Sequence, residues 1–292
     1  MTAEIFAIVA PIFVVAGLGY GWARLGRDFD TDFVTNIVLT FATPCLVFAS
    51  LTTISGGLAD LGTIAIAMLF ALASFAVLGF ILLRAMGGLP AHSYLPALIF
   101  GNQGNMGLPL AFFAFGEAGL RLAVTAFAVH SILQFTGGVS LAAGTANVRQ
   151  LLRAPVLWGV IASLPFMFSD LRPPVWIGNT VTLLGGLVIP LMLLTLGVSL
   201  SRLRITRIRR SVAIAAARLI GGLAVGLVVA EVFSLEGIVR GVLIIQTAMP
   251  VAIFNYVFAQ RYQREPEDIA AAIVISTLAS IVTLPLVLAL VL

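Results

Sequence analysis

The sequence predicts an all-α integral membrane protein with ten transmembrane helices, arranged as two inverted repeats of five helices. Hydrophobic residues make up 61% of its 292 positions and charged residues 10%, whereas soluble domains are about half apolar and a quarter charged. Arginine-rich and arginine-poor loops alternate along the chain, and prolines recur at similar spacing in its two halves. The composition predicts a membrane protein, the alternation of arginine-rich loops predicts the number of spans, and the spacing of the prolines predicts the inverted repeat.

Apolar stretches of about 20 residues recur from one end of the chain to the other, and each is long enough to cross roughly 30 Å of hydrocarbon as an α-helix. Transmembrane β-barrels show alternating segments of about ten residues instead. Hydropathy and loop residues predict spans near residues 5–25, 33–52, 61–84, 93–116, 120–144, 152–169, 176–200, 211–233, 238–261 and 268–291. The short loops leave no room for a separate soluble domain.

The arginines predict how the spans are oriented. All sixteen basic residues are arginines, and twelve fall on loops that follow odd-numbered spans: Arg24, Arg27, Arg84, Arg149, Arg153, Arg202, Arg204, Arg207, Arg209, Arg210, Arg261 and Arg264. Three fall on the other side, namely Arg121, Arg172 and Arg240, and Arg218 lies within a span. Because positive residues accumulate on cytoplasmic loops, we expect a multi-pass protein of the cell membrane with both termini outside.

Two pairs of prolines predict the inverted repeat. Pro44 and Pro190 lie 146 positions apart in spans two and seven, and Pro109 and Pro250 lie 141 positions apart in spans four and nine. Homologous halves with an odd number of spans must insert with opposite orientation, as in many secondary transporters. The predicted repeats are residues 1–146 (spans 1–5) and 147–292 (spans 6–10).

The segment Gly101–Pro109, with the sequence GNQGNMGLP, is unusual for the middle of a membrane span. Proline removes a backbone donor and collides with the carbonyl four residues earlier. Backbone groups freed in hydrocarbon cost several kcal/mol each, so such a break persists only inside protein or beside a wet cavity. Span nine has a similar segment, Gln246–Pro250. Both helices are therefore predicted to be broken, with second halves that begin near Pro109 and Pro250.

Two half-helix N-termini that face each other near the membrane centre favour an anion, because each carries about half a positive charge and unpaired N–H groups. Amide side chains add hydrogen bonds without a charge; Asn105 and Gln246 each precede a proline by four residues. We expect the carboxylate of a small organic anion to bind Asn102, Gln103, Asn105, Gly107, Pro109, Gln246, Pro250 and Asn255. The alternative is that the broken helices only pack tightly through their glycines.

Two ionisable residues fall well within predicted spans and are candidates for ion coupling or for support of the site. Arg218 is expected either to extend toward the cytoplasmic edge or to have a functional role. His130 is expected either to be a hydrogen-bonded structural residue or to titrate near neutral pH. The carboxylates Asp60, Glu117, Glu231 and Glu236 lie near span ends, so none of them is placed as a proton carrier in the middle of the membrane. Coupling to a proton and coupling to a sodium ion therefore both remain open.

The sequence favours a secondary active transporter, which is not an enzyme. An integral membrane enzyme would need intramembrane aspartates, a serine and histidine pair or a metal cluster, and none has suitable spacing. A channel or receptor without carrier activity is the other alternative. No cofactor or metal ion is expected. The net charge of +4 is spread over short loops, which argues against a nucleic-acid partner.

Three segments carry a resemblance to a known family: GNQGNMGLPLAFFAFGEAGL in span four, PLMLLTLGVSL in span seven and QTAMPVAIFNYVFAQRY in span nine. They resemble the auxin efflux carrier family, including its bacterial permeases and malonate-type transporters, over essentially the whole chain. The resemblance implies an elevator movement of a transport domain (spans 3–5 and 8–10) against a scaffold (spans 1, 2, 6 and 7), which would also form a homodimer. It places Asn105 and Pro109 at the span-four crossover and Pro250 at the span-nine crossover.

Two departures from the plant members of that family shape the expected substrate. The plant carriers have a long hydrophilic loop between the halves, whereas here only about Thr145–Leu151 joins them. Some plant members carry an acidic and a basic residue near the substrate, and span three has no such pair. A small carboxylate such as malonate is therefore expected rather than auxin.

Overall fold

The computed structural model describes residues 2–52, 58–144, 154–169, 171–203 and 208–292. Within these ranges all regular secondary structure is helical, and no strand is present. A single isolated antiparallel bridge joins the backbones of Gly101 and Val251. Several predicted features lie outside the described residues: the boundary between the repeats, the whole Thr145–Leu151 linker, and Arg149, Arg153, Arg204 and Arg207.

Seven α-helices and three π-helical segments form the described part of the first half. The α-helices are α1 (Thr2–Arg24), α2 (Thr31–Ile37), α3 (Thr43–Thr52), α4 (Leu58–Ala85), α5 (Ala91–Ile99), α6 (Leu108–Leu133) and α7 (Val139–Ala143). The π-helical segments are Val38–Ala42 between α2 and α3, Gln103–Gly107 before α6, and Gln134–Gly138 between α6 and α7. Gly116 of α6 has φ 62° and ψ −152°, a conformation open to glycine, at the predicted boundary between spans four and five.

The second half contributes seven further α-helices within the described ranges. They are α8 (Pro155–Met167), α9 (Val175–Gly185), α10 (Val188–Arg202), α11 (Ile208–Val232), α12 (Gly237–Thr247), α13 (Phe254–Tyr262) and α14 (Pro266–Val291). A gap of three residues separates α13 from α14, and Gln263 and Glu265 in it have positive φ values of 52° and 49°.

In the described ranges, seven helical segments are long and apolar enough to cross a membrane: Ala3–Arg24, Thr31–Thr52, Ala59–Ala85, Gln103–Ala143, Val175–Arg202, Ile208–Val232 and Pro266–Val291. The helices Pro155–Met167 and Gly237–Thr247 are apolar but shorter. The chain is therefore a multi-pass membrane protein. The number differs from the ten predicted for three reasons: predicted spans four and five share the continuous segment Gln103–Ala143, the helix of span six (Pro155–Met167) has only 13 residues, and span nine is divided into α12 and α13, with 11 and 9 residues.

The helices pack in two groups. In one group α1 lies along α10, and α3 packs against α8 and α9. Glycines allow the close approach of these helices, as is common in membranes: a Cβ on Gly159 would lie 2.7 Å from Pro44 O, and a Cβ on Gly185 would lie 2.9 Å from Leu46 Cα. In the other group α4, α5, α6, α11, α12 and α14 pack around the two chain segments that contain the predicted site.

Candidate functional site

Both predicted site segments are interrupted. The first leaves helical conformation after Ile99, since Phe100 is extended (φ −97°, ψ 105°), and becomes helical again at Gln103. The second leaves it after Thr247 and becomes helical again at Phe254. The intervening residues lie in the protein interior, with Asn102 4% exposed and Met249 0% exposed.

The predicted starting points of the second half-helices compare differently in the two segments: α6 begins at Leu108, next to Pro109 as predicted, although a π-helical turn precedes it. Pro109 is the second residue of α6 and follows the π-helical segment Gln103–Gly107, so the helical path begins six residues before it. In that segment Leu108 N donates to Gln103 O, five residues back, and Pro109 follows in the first turn of α6, where a proline is tolerated. Pro250 lies in the non-helical stretch, four residues before α13.

The two interruptions cross and pair through their backbones. Asn102 N donates to Pro250 O at 2.7 Å, and Ala252 N donates to Phe100 O at 3.2 Å, on either side of the bridge between Gly101 and Val251. Val251 N donates to Ser276 Oγ of α14 at 3.1 Å. Backbone groups that a broken helix leaves open would be costly in a membrane. The crossing satisfies several of them within the protein.

A cavity of about 620 Å³ lies beside this crossover, within the usual size range of small-molecule sites. One wall comes from α2, the π-helical segment after it and α10, including Thr35, Leu39, Met192, Thr195 and Ser199. The opposite wall includes Asn105 and the α13 side chains of Tyr256 and Gln260. All ten predicted site residues lie in the described ranges, and Asn105 is the one that lines this cavity.

A second cavity of about 10 Å³ lies at the crossover itself and has room for about one water molecule. Asn102, Gln103, Asn105 and His130 line it together with Gln134. The other predicted residues line neither cavity: Gly107, Pro109, Arg218, Gln246, Pro250 and Asn255. The structure thus gathers the predicted residues around the crossover but gives only part of them access to a cavity.

Asn105 and Gln246 do not occupy matching places. Asn105 lies on the helical path after its interruption, whereas Gln246 lies on α12 before its interruption. The Gln246 side chain is 0% exposed and lies against Gly107, where a Cβ would collide with Gln246 Oε1. Gln103 Nε2 is 3.4 Å from Gln246 O. Gln246 is therefore a packing partner of the crossover in this conformation.

The crossover holds several buried polar atoms that have no hydrogen-bond partner among the described residues. They belong to uncharged amides: Asn102 Nδ2, Gln103 Oε1, Asn255 Oδ1, and Gln246 Oε1 and Nε2. Asn255 Nδ2, by contrast, donates to Phe100 O at 2.9 Å. Buried polar groups are normally paired, and these amide atoms are the ones at the crossover that a water molecule or a ligand could pair with.

His130 and Arg218 are both buried, each 1% exposed. Neither ring nitrogen of His130 has a hydrogen-bond partner within the described ranges, and its ring packs edge-on against Phe100 at 5.4 Å between centroids. The hydrogen-bonded and titratable alternatives for His130 therefore both stay predictions. Arg218 donates to the carbonyls of Leu98 and Thr247, so its side chain does not extend to the membrane edge.

Sequence reasoning missed a buried carboxylate. Tyr94 OH donates to Asp268 Oδ2 at 2.6 Å, and Arg210 Nη1 lies 3.9 Å from the same oxygen. Asp268 is 1% exposed and lies in the first turn of α14. The available signal was its position at the start of predicted span ten. Elsewhere in the described ranges, no three His, Cys, Asp or Glu side chains are grouped to hold a metal ion.

The model of a family described as membrane transport protein matches residues 4–148 and 140–288. The chain belongs to the membrane transport protein family. Its resemblance to the auxin efflux carriers is confirmed at the level of the family, and membership supports a transporter rather than an enzyme.

Relatives of this membrane transport protein come from archaea and plants. It is 25% identical over 294 residues to an uncharacterized transporter of Methanothermobacter thermautotrophicus, covering 95% of both chains. It is 22% identical over 301 residues to an uncharacterized transporter of Methanocaldococcus jannaschii, covering 96% of both. Auxin efflux carrier component 1 of Arabidopsis thaliana is 29% identical over 137 residues, which are 44% of this chain and 22% of the plant protein.

Proposed function

We propose that the chain is a secondary active transporter that moves a small organic anion, a carboxylate, across the cell membrane by elevator-type alternating access. The substrate would bind at the crossover where Asn105 meets the 620 Å³ cavity. The observation that carries the proposal is the reciprocal pairing of two interrupted segments next to a cavity of substrate size. Broken helices that meet near the membrane centre are the usual binding sites of such carriers.

The charges around the crossover favour an anion. Arg218 is buried against Gly101 of the crossover and contributes a positive charge, and the helical path that begins at Gln103 presents its N-terminal end toward the small cavity. Asp32 is the one carboxylate, among the residues described, that lines either cavity. A carboxylate ligand would therefore meet donors and positive potential at the crossover.

The packing supports an elevator arrangement. The scaffold of spans 1, 2, 6 and 7 would correspond to α1–α3 and α8–α10, and the transport domain to α4–α7 and α11–α14. The 620 Å³ cavity has one wall from each set. A substrate held on Asn105 would thus lie where the two domains slide past each other. We further propose a homodimer formed through the scaffold.

Ten spans in two inverted repeats also fit the helix lengths. The 41-residue segment Gln103–Ala143 would be about 60 Å long as a straight helix, twice the hydrocarbon thickness. The non-helical backbone at Gly116 offers the place for this segment to turn back. The paired bonds at the crossover relate residues 100–102 to 250–252, as a local two-fold axis would.

The proposed orientation has the arginine-rich loops in the cytoplasm and both termini outside. Arg202 Nη2 donates to Phe29 O at 2.8 Å, and Arg264 Nε donates to Ala142 O at 3.0 Å. Together with the contact between Arg210 and Asp268, these bonds bring loops after odd-numbered predicted spans to one end of the molecule. The cavity lined by Arg202 would then open to the cytoplasm.

The direct test is counterflow in proteoliposomes that contain the purified protein. Vesicles preloaded with unlabelled malonate should accumulate labelled malonate transiently, because a carrier exchanges substrate and a channel does not. A panel of mono- and dicarboxylates at equal concentration would define the substrate class. Uptake without counterflow would contradict the carrier mechanism. Counterflow confined to organic cations would contradict the proposal that the substrate is an organic anion.

Asparagine variants give this test its internal control. Asn105→Ala removes the crossover amide that lines the cavity, whereas Asn179→Ala removes an exposed asparagine of α9. We expect counterflow to be lost in the first variant and retained in the second, with both proteins folded in detergent. Full counterflow by Asn105→Ala would refute the proposed site.

A further inference from the structure

The C-terminal ends of α5 and α12 meet at one side chain, Arg218 of α11. Its Nη1 donates to Leu98 O at 3.3 Å and its Nη2 donates to Thr247 O at 3.0 Å. Leu98 is the next-to-last residue of α5 and Thr247 is the last residue of α12. The last carbonyls of a helix have no partner within the helix and carry about half a negative charge. One guanidinium therefore compensates two helix C-termini.

The surroundings of Arg218 are shaped to hold a cation. The guanidinium Cζ lies 4.4 Å from the centroid of the Phe75 ring, a cation–π geometry. A Cβ on Gly101 would collide with Arg218 Nη2, so glycine is needed there for the arginine to reach the crossover. No Asp or Glu of the described ranges forms an ion pair with Arg218. The charge is balanced by backbone carbonyls and an aromatic face.

This arrangement of carbonyls is the kind that binds a metal cation in other carriers. Half-helix C-termini and unwound backbone carbonyls coordinate Na⁺ in transporters with broken helices. Here Leu98 O and Thr247 O are engaged by Arg218. Met249 O is close as well, since it lies 3.1 Å from the position of a Cβ on Gly101. A metal ion and the guanidinium would compete for the same oxygens.

We propose that Arg218 is a tethered replacement for a coupling cation, which makes transport of the organic anion independent of Na⁺. The inference rests on the function proposed above and adds its coupling. Gly101, which lies against Arg218, also lines the small cavity next to Asn102. A permanent positive charge thus stands directly behind the crossover, and a bound carboxylate needs no co-transported metal ion to balance it.

Binding of metal ions to the purified protein tests this assignment without any transport substrate. The melting temperature of the purified wild-type protein should be the same in NaCl and in choline chloride at equal concentration. In Arg218→Ala the vacated carbonyls should accept a small cation, so NaCl should raise the melting temperature by about 2–4 °C with a saturable dependence. Arg172→Ala, which removes an exposed arginine, should behave like the wild type.

Two results would overturn the assignment: a saturable rise of the wild-type melting temperature specific to Na⁺, or an Arg218→Ala protein that melts alike in NaCl, LiCl, KCl and choline chloride. If Arg218→Ala does not fold, wild-type counterflow decides, since equal rates in Na⁺ and choline support the assignment and Na⁺-stimulated rates oppose it. Loss of malonate counterflow with the expected melting pattern would remove only the substrate proposal.

Discussion

Asn105 and Asn255 occupy equivalent places on the two sides of the crossover, each four residues beyond the bridge between Gly101 and Val251. Their environments differ. The Asn105 side chain lines the 620 Å³ cavity, whereas Asn255 Nδ2 donates to Phe100 O at 2.9 Å. One asparagine of the pair is therefore available to a ligand, and its counterpart ties the two interrupted segments together.

This difference predicts that two alanine substitutions affect different properties, ligand binding in one case and stability in the other. Asn105→Ala should weaken binding of the transported anion by at least tenfold, since a hydrogen bond to a charged group contributes about 1.5–3 kcal/mol, and should leave the melting temperature nearly unchanged. Asn255→Ala should lower the melting temperature, because Phe100 O loses its amide donor. Ligand-induced thermal shifts measure both quantities. Equal destabilisation by the two substitutions would contradict the assignment of roles.

Gly101 is predicted to be intolerant of any side chain. Gly101→Ala would place a Cβ against Arg218 Nη2 and 3.1 Å from Met249 O, and such overpacking costs about 1–3 kcal/mol. The matched control is Gly178→Ala on α9, where a Cβ would meet no atom within 4 Å. The melting temperature in detergent should fall for the first variant and stay level or rise slightly for the second. A level melting temperature for Gly101→Ala would show that Arg218 can shift away.

The sequence was sufficient to predict that two segments break, because glycines, prolines and amides cannot continue a lipid-facing helix. The position of the breaks was not predictable in the same way. Matching Pro109 to Pro250 gives a spacing of 141 positions, whereas the backbone pairing joins Gly101 to Val251, 150 positions apart. Tertiary hydrogen bonds decide that register. Pro109, which indicated the break in the sequence, lies beyond the break, in the first turn of α6 after the π-helical segment.

The roles of the buried polar residues also depend on distant contacts. Arg218 is 120 positions from Leu98, and Tyr94 is 174 positions from Asp268. Hydropathy places such residues inside spans or at their ends but does not identify the partner. The sequence therefore identified the polar residues near the crossover. Whether each of them extends to the membrane edge, packs against a neighbour or compensates a charge could be decided only from the fold.

Tyr94 and Asp268 form a buried contact that should stabilise the helices it joins. Tyr94→Phe removes the hydroxyl that donates to Asp268 Oδ2 at 2.6 Å and leaves the carboxylate with one donor fewer, at a cost of about 1–3 kcal/mol. Tyr20→Phe is the control, because Tyr20 is an exposed residue of α1. Thermal unfolding of both variants should show a lower melting temperature for the first only. Identical melting curves would mean that the other contacts of the Asp268 carboxylate satisfy it without the tyrosine hydroxyl.

His130 should contribute to ligand binding more than to stability. Its two ring nitrogens have no partner among the described residues, and it lines the small cavity with Asn102 and Asn105. His130→Leu therefore removes no hydrogen bond to another described residue and takes a polar ring out of the protein interior, where burying polar groups is costly. We expect an unchanged or higher melting temperature together with weaker anion binding. A fall of the melting temperature would instead assign His130 a structural role.

The proposed orientation can be checked with single cysteines in a Cys45→Ser background. Gln260→Cys lies in the cavity wall near the arginine-rich end, and Ser169→Cys lies at the end of α8, beside the loop that contains Arg172. A membrane-impermeant maleimide should label Gln260→Cys in inside-out vesicles and Ser169→Cys in right-side-out vesicles, because positive loops remain in the cytoplasm. Each variant serves as the control for the other. Labelling of both cysteines from one side would exclude the proposed number of spans between them, since an odd number of crossings must separate residues on opposite faces.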